Sequence, residues 1–261
     1  MPFPALRLRA IFPVMSCEEK TFVTLDNVKY EWLGQSTFRI TWPNGFTLYT
    51  DPVIFDDEPP KADLILITHH HVDHCLPECV LKVRNDDTSV AAYKEGYLKH
   101  CVRDIKKVRA IGIGDTIELK GVKITGVEAY AFRGFHIKGE GCGFVIEFQG
   151  QRIYFSGDTA KIKEMEALTG IDAAIVSICD NIGAIKPSEI IEAVKIIKPR
   201  LFIPMHFTPE DAPEPVIKQG MFATKDPRFF TKKYDVETLI PIFEGTGIEV
   251  AVLKMLGRYV E

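Results

Sequence analysis

The chain has 261 residues, of which 46% are hydrophobic and 26% are charged, with a formal net charge of −4 at pH 7. That length suffices for one large domain or two small ones with a substantial core. The negative charge gives no sign of a nucleic-acid-binding surface, and no apolar run approaches the length of a membrane span. We therefore expect a cytoplasmic protein that binds neither nucleic acid nor membrane.

The first elements of the chain predict strands. Residues 1–21 form an N-terminal extension that lacks the apolar core of a secretory signal, and residues 22–261 are expected to form one domain. Alternating side chains predict strands at 28–32 and 37–42, and Pro43-Asn44-Gly45 predicts a hairpin turn before a strand at 46–49. Asp51 then ends this group of strands, and a turn made with the following proline is one explanation of that aspartate.

The most informative stretch starts at residue 62. Residues 62–68 form a short apolar run with β-branched side chains, which predicts a buried strand. The pattern His-x-His-x-Asp-His follows directly and consists of His69, His71, Asp73 and His74. Residues two apart in extended backbone project to the same side, so His69 and His71 can converge on one metal ion. A turn can carry Asp73 and His74 toward a second ion, and such ligands suit zinc, iron or manganese.

This pattern after a hydrophobic strand resembles the signature of the metallo-β-lactamase superfamily. The resemblance implies an α/β fold, namely a four-layer αββα sandwich with a pair of metal ions at one edge of its two sheets. It also implies that Asp51 supports the histidine loop by hydrogen bonding. Three more ligands are expected downstream: a histidine, an aspartate that bridges both ions, and a last histidine after a late strand.

The middle of the chain contains a candidate for the histidine that is expected downstream. Helices are predicted at 77–83 and 94–102, and a hairpin at Lys120-Gly121. His136 lies before a predicted strand at 143–148, and by its order in the chain it matches the third histidine of the family. The surrounding Phe135-His136-Ile137-Lys138-Gly139 differs from the Gly-His-Thr-Pro-Gly of many relatives. It is more similar to the branch that contains ascorbate-6-phosphate lactonase and uncharacterised metal-dependent hydrolases.

The last two ligands follow predicted strands. Asp158 comes after a strand predicted at 152–155 and matches the bridging aspartate, although the same residue could be the N-cap of a helix predicted at 161–168. His206 comes at the end of a strand predicted at 201–205 and matches the last histidine. A helix is predicted at 188–197, and a loop or flap over the site at 208–234.

The resemblance divides the ligands between two ions. His69, His71 and His136 would hold one ion, Asp73, His74 and His206 the other, with Asp158 between them. Water shared by two dications is acidified enough to attack an ester, lactone or phosphoester at neutral pH. We therefore expect a metal-dependent hydrolase with two divalent ions, Zn²⁺ with Mn²⁺ or Fe²⁺ as alternatives, in which Asp73 and Asp158 are the catalytic carboxylates.

The sequence does not identify the substrate, and it is compatible with two other functions. Arg133, Lys138, Asp180, Asn181 and Lys186 are candidate contacts to a small-molecule substrate, and the three cations among them suggest that it is anionic. Solvated loop charges are the alternative. A metal-binding protein without catalysis fits the same ligands. A di-iron redox member of this fold usually has a glutamate where His71 stands. The six scattered cysteines are expected to be reduced thiols.

Overall fold

The computed structural model describes residues 20–55, 58–71, 73–93, 108–132, 136–178, 185–208, 234–256 and 258–259. The helix predicted at 94–102 lies outside these residues, as do most of the loop predicted at 208–234 and the extension up to residue 19. Three of the predicted substrate contacts also fall outside them, namely Arg133, Asp180 and Asn181.

Most regular structure in the described part of the chain is strand. In chain order the strands are β1 (Phe22–Leu25), β2 (Val28–Gly34), β3 (Thr37–Thr41), β4 (Thr47–Thr50), β5 (Ile54–Phe55), β6 (Leu64–Ile67), β7 (Ser89–Tyr93), β8 (Val108–Ile111), β9 (Thr116–Leu119), β10 (Val122–Glu128), β11 (Cys142–Phe148), β12 (Gln151–Phe155), β13 (Ala173–Ser177), β14 (Leu201–Met205), β15 (Glu249–Val250) and β16 (Arg258–Tyr259). The α-helices are α1 (Pro77–Val83) and α2 (Pro187–Ile197), and 3₁₀ helices span Lys163–Ala167 and Val236–Phe243.

The strands form two seven-stranded sheets of similar design. The first has the order β1-β2-β3-β4-β6-β7-β8 and the second the order β15-β14-β13-β12-β11-β10-β9, while β5 and β16 pair separately. In the first sheet the strands from β4 to β8 are parallel, and in the second those from β12 to β15 are parallel. Because parallel strands end at the same edge of a sheet, the residues after them are brought together.

The core explains how the layers stack. In β6, Leu64 and Leu66 belong to the large core cluster that also contains the second sheet, whereas Ile65 and Ile67 pack with α1 on the opposite face. A strand covered on both faces requires such a continuous apolar run. Helix α2 buries one side, including Ile190, in the core that contains β13. The result is the predicted αββα sandwich.

Two expectations need correction. The helix predicted at 161–168 is a shorter 3₁₀ helix, Lys163–Ala167, preceded by Ile162 in extended conformation. Cys75 is disulfide-bonded, contrary to the expectation of reduced thiols, whereas Cys79 and Cys142 are free and buried. Spacing along the chain does not reveal which cysteines folding brings together. Within the described residues, no helix has the length and apolar character needed to cross a membrane.

Candidate metal centre

The histidine motif begins at the carboxyl end of β6. Thr68 follows that strand, and its carbonyl oxygen accepts a hydrogen bond from the backbone of Cys142 in the second sheet at 3.1 Å. The backbone nitrogens of His74 and Cys75 both donate to the carbonyl oxygen of His71 at 2.9 Å, which closes a turn. As the spacing predicted, His69 and His71 project together: His69 Nε2 lies 3.0 Å from His71 Nδ1.

Asp51 supports this loop from the neighbouring strand. Because β4 and β6 are parallel, Asp51 at the end of β4 lies beside Thr68 at the end of β6. Its carboxylate accepts hydrogen bonds from the Thr68 backbone nitrogen at 2.8 Å, the Thr68 hydroxyl at 2.7 Å and His74 Nδ1 at 2.8 Å. Asp51 therefore has a role beyond the turn with proline: it directs His74 Nε2 into the site.

Asp158 enters the site from the second sheet through a close contact. It follows β12 after Gly157, whose φ of +58° favours glycine. A Cβ at Gly157 would lie 2.8 Å from the Cys142 carbonyl oxygen and 3.1 Å from Thr68 Cβ, so the absence of a side chain lets the two sheets approach. The next helix begins only at Lys163, which removes the alternative that Asp158 is its N-cap.

Four ligand candidates converge on one another. Asp158 Oδ2 lies 3.3 Å from His74 Nε2, 3.3 Å from His136 Nε2 and 3.2 Å from His206 Nε2. These histidines come from the loop after β6, from the segment before β11 and from the end of β14. His74 and His206 are buried, whereas His136 is partly exposed.

The titration behaviour of the cluster reflects buried negative charge. Burial alone would raise the pKa of Asp158, but the neighbouring imidazoles, led by His206, hold it well below its usual range. Burial opposes the charged form of His74, yet the surrounding carboxylates, led by Asp158, raise its pKa to about 10. At His136 burial dominates and lowers the pKa to about 4. Without a metal ion, protons on His74 and His206 thus supply the positive charge that the carboxylates attract.

The same features fit a divalent cation. Asp158 Oδ1 is buried and has no hydrogen-bond partner among the described residues, an arrangement that is costly unless an ion satisfies it. Imidazole and carboxylate are ligands for zinc, iron and manganese. Ligand atoms lie within 4.8 Å of one another in each of three groups: His69, His71 and His136; His69, His74 and Asp158; Asp73, His74 and His206.

Three residues at the site were not predicted from the sequence. His70 and Glu140 line a small cavity together with His69, His71, His136 and Asp158. Gln35, in the turn between β2 and β3, places its amide nitrogen 3.0 Å from Asp73 Oδ2 and 2.9 Å from His206 Nε2. None of the three occupies a His or Asp position of the His-x-His-x-Asp-His pattern, and Gln35 is not an ordinary metal ligand.

Two of the positively charged residues predicted to contact substrate, Lys138 and Lys186, lie among the described residues, and both form ion pairs with glutamates. Lys138 Nζ lies 2.8 Å from Glu164 and 3.1 Å from Glu128. Lys186 Nζ lies 3.2 Å from Glu189 on the surface of α2. Neither lysine belongs to the residues that line the cavity.

Comparison with known proteins gives independent information. The model of the beta-lactamase superfamily domain matches residues 29–206. A UPF0173 metal-dependent hydrolase from Pelotomaculum thermopropionicum is 35% identical over 198 residues, covering 69% of this chain and 84% of the relative. A UPF0173 metal-dependent hydrolase from Thermococcus onnurineus is 34% identical over 195 residues, with coverage of 69% and 84%. A solved structure from Parabacteroides distasonis, described as a metal-dependent hydrolase, has a TM-score of 0.67 at 25% identity over 88% of this chain and 94% of that chain.

The matched region contains the whole candidate metal centre. It begins within β2 and ends at His206, so it includes all seven predicted ligands and Gln35. The two relatives exceed 30% identity over more than two thirds of their own length. The chain therefore belongs to the β-lactamase superfamily, within the family of UPF0173 metal-dependent hydrolases.

Proposed function

We propose that the chain hydrolyses a small ester, lactone or phosphoester with the aid of two divalent metal ions, Zn²⁺ with Mn²⁺ or Fe²⁺ as alternatives. One observation supports this most directly: three histidine Nε2 atoms lie 3.2–3.3 Å from the same oxygen of Asp158. These histidines are assigned to both ions, so this oxygen of Asp158 is suited to be shared between the two ions.

Each ion has a proposed set of ligands. His69, His71 and His136 would hold one ion, Asp73, His74 and His206 the other, and Asp158 would contribute to both. When bound, such ions act as Lewis acids that acidify water and stabilise negative charge on a reacting carbonyl or phosphoryl group.

The chain's own residues orient and shield this centre. Asp51 fixes the ring of His74 through Nδ1 and leaves Nε2 directed at the site. Burial of His69, His74, His206 and Asp158 keeps the local dielectric constant low, which strengthens electrostatic interactions with a reacting group. The cavity lies on the side of the partly exposed His71 and His136, so a substrate would approach from that side.

We also propose that the substrate is anionic, with Lys186 as the candidate contact among the described residues. Lys186 forms one exposed ion pair, and such pairs are weak enough to be exchanged for an anionic ligand. Lys138 contacts two glutamates and the ring of Tyr130, and it is less available. Kinetics on the neutral and phosphorylated forms of one ester would test this: Lys186→Ala should reduce the preference for the phosphorylated form, whereas Lys138→Ala should not. An unchanged preference in Lys186→Ala would contradict it.

The function as a whole is tested by metal analysis and a substrate panel. The purified chain should contain up to two transition-metal ions, and it should hydrolyse at least one class among carboxyl esters, lactones and phosphoesters. A chelator should abolish this activity and added Zn²⁺ or Mn²⁺ should restore it. A chain that retains metal but hydrolyses no class would favour a binding protein without catalysis. A chain that retains no metal after reconstitution would rule out the proposal.

A further inference from the structure

The turn between β2 and β3 lies inside the protein rather than at its surface. Gln35 is 3% exposed, and Ser36 and Thr37 are completely buried. Gln35 also has a φ of +51°, a left-handed conformation that is uncommon for a residue other than glycine, asparagine or aspartate. Lys120 and Gln149, in two other two-residue hairpin turns, have similar φ values of +52° and +47°, so this conformation belongs to the turn itself. The contacts of Gln35 distinguish this turn from those two.

The backbone of Gln35 joins the two sheets at the candidate metal centre. Its carbonyl oxygen accepts hydrogen bonds from Trp32 Nε1 at 2.9 Å and from the backbone nitrogen of His206 at 3.1 Å. Trp32 in turn stacks on Phe207, with ring centroids 4.7 Å apart. The end of the hairpin in the first sheet is thus attached to the residue that follows β14 in the second sheet.

The side chain of Gln35 reaches two of the predicted ligand atoms. Its amide nitrogen lies 3.0 Å from Asp73 Oδ2 and 2.9 Å from His206 Nε2, while those two ligand atoms lie 3.5 Å apart. An ionised carboxylate only accepts hydrogen bonds, so the amide donates its NH₂ group to Asp73. The single lone pair of His206 Nε2 is the one that would bind the ion, so Gln35 supports His206 through the backbone hydrogen bond and not through the amide. A carboxylate oxygen has lone pairs for both an amide hydrogen and a cation.

From this geometry we propose that Gln35 is a positioning residue for the Asp73–His74–His206 metal position. Its amide holds Asp73 and its backbone carbonyl oxygen holds His206, which come from different sheets, so that their ligand atoms lie 3.5 Å apart. The proposal rests on the function proposed above, because it requires that this position binds metal. His69, His71 and His136 have no hydrogen bond to Gln35 among those described, so the effect should be confined to one of two ions.

Two variants distinguish the contribution of the Gln35 side-chain amide from that of the backbone of the turn. Asparagine tolerates the left-handed conformation, and Gln35→Asn retains the backbone contacts while its amide is one methylene too short to reach Asp73 and His206. Gln35→Ala removes the amide altogether. Gln151→Ala is a matched control, because Gln151 is also a buried glutamine whose amide donates to a carboxylate, Asp26, at 2.8 Å. That control should change stability without changing metal retention.

The experiment uses the full chain loaded with Zn²⁺ and dialysed against buffers of graded free Zn²⁺, with residual zinc measured by elemental analysis. Loss of a residue that supports a ligand typically weakens metal binding by about 10–100-fold. We expect Gln35→Asn and Gln35→Ala to lose one of two ions at a free Zn²⁺ concentration higher by that factor, about 10–100-fold, while the second ion follows wild type.

The outcomes distinguish this inference from the proposed function. If wild type retains two ions and both Gln35 variants match it, the positioning role is wrong and the function stands. If both ions weaken equally, or if Gln151→Ala weakens one ion to the same extent, the effect is general destabilisation and the role is again wrong. If wild type itself retains no metal, the proposed function fails, and this inference with it.

Discussion

Asp51 and His74 form a completely buried pair in which Oδ2 of the carboxylate lies 2.8 Å from Nδ1 of the imidazole. Because the carboxylate accepts at Nδ1, the other ring nitrogen is left to face Asp158 at 3.3 Å. An arrangement of this kind fixes both the tautomer and the orientation of a metal-binding histidine.

Replacement of Asp51 should therefore weaken metal binding without removing a ligand. Three donors share the two carboxylate oxygens of Asp51: the Thr68 backbone nitrogen on Oδ1, and the Thr68 hydroxyl and His74 Nδ1 on Oδ2. In Asp51→Asn one of these oxygens becomes an NH₂ donor, so at least one of the three loses its acceptor. We expect zinc affinity to fall by about 10–100-fold, as measured by competition with a chromogenic chelator. Asp63→Asn is the control, since Asp63 accepts from the backbone of Thr47 before β6 rather than at the site. Equal zinc affinities of the two variants would contradict the supporting role.

Asp158→Ala should have a larger effect than Asp51→Asn. It removes a carboxylate that contacts three imidazoles and leaves two cations without their shared anion. We expect loss of at least one ion per chain and a fall in kcat of more than about 100-fold, the upper end of what supporting residues contribute. Elemental analysis and steady-state kinetics measure both effects, and circular dichroism checks that the fold survives. Full zinc content with full activity would show that Asp158 is not a ligand.

Gly157→Ala tests the close approach of the two sheets. Its Cβ would lie 2.8 Å from a carbonyl oxygen, whereas a Cβ at Gly150 meets nothing within 4 Å, although Gly150 also has a positive φ of +79°. Gly150→Ala therefore measures the backbone strain alone, about 1–3 kcal/mol. We expect Gly157→Ala to lower the free energy of unfolding by a further ~1–3 kcal/mol through overpacking and to reduce zinc content. Urea unfolding of both variants gives the comparison, and equal values would refute the packing argument.

Removal of the metal should make stability depend on pH in a specific direction. In the folded chain without metal the pKa of His74 is about 10, above the ordinary 6.5. The stability from this proton is complete below pH 6.5 and is lost as the pH rises toward about 10. The chelator-treated chain should therefore lose free energy of unfolding over this alkaline range, relative to the zinc-loaded chain, in which the cation replaces the proton. Parallel pH profiles of the two forms in urea unfolding would count against this assignment.

Much of the site was predictable because its ligands are residue types with recognisable chemistry at the ends of apolar strands. The apolar run before His69 predicts a buried strand, and the His-x-His-x-Asp-His pattern that follows it indicates a metal site. Asp158 was ambiguous in the sequence, because a Gly-Asp-Thr stretch also begins many helices. The structure resolves that ambiguity through the later start of the 3₁₀ helix, at Lys163.

Gln35 could not have been predicted in this way. Its residue type rarely binds metal, its place in the chain indicates an ordinary hairpin turn, and its left-handed backbone leaves no mark in the sequence. Its importance depends on His206, which lies 171 residues away in the chain. Contacts between such distant residues follow from how the sheets dock, which local periodicity does not describe.

The contact of Gln35 with His206 also has a consequence for the order of folding. The first sheet supplies Gln35 from the antiparallel β2–β3 hairpin and supplies Asp73 and His74 after β6. The second sheet supplies Asp158 and His206 after β12 and β14, and β6, β12 and β14 all belong to parallel pairs that close long loops. Closing long loops is slow relative to forming hairpins, so the antiparallel halves of the sheets should form before the parallel ones. The centre exists only after both sheets have formed and docked. Metal binding should therefore come late in folding, and it should stabilise the contacts that form last and most slowly.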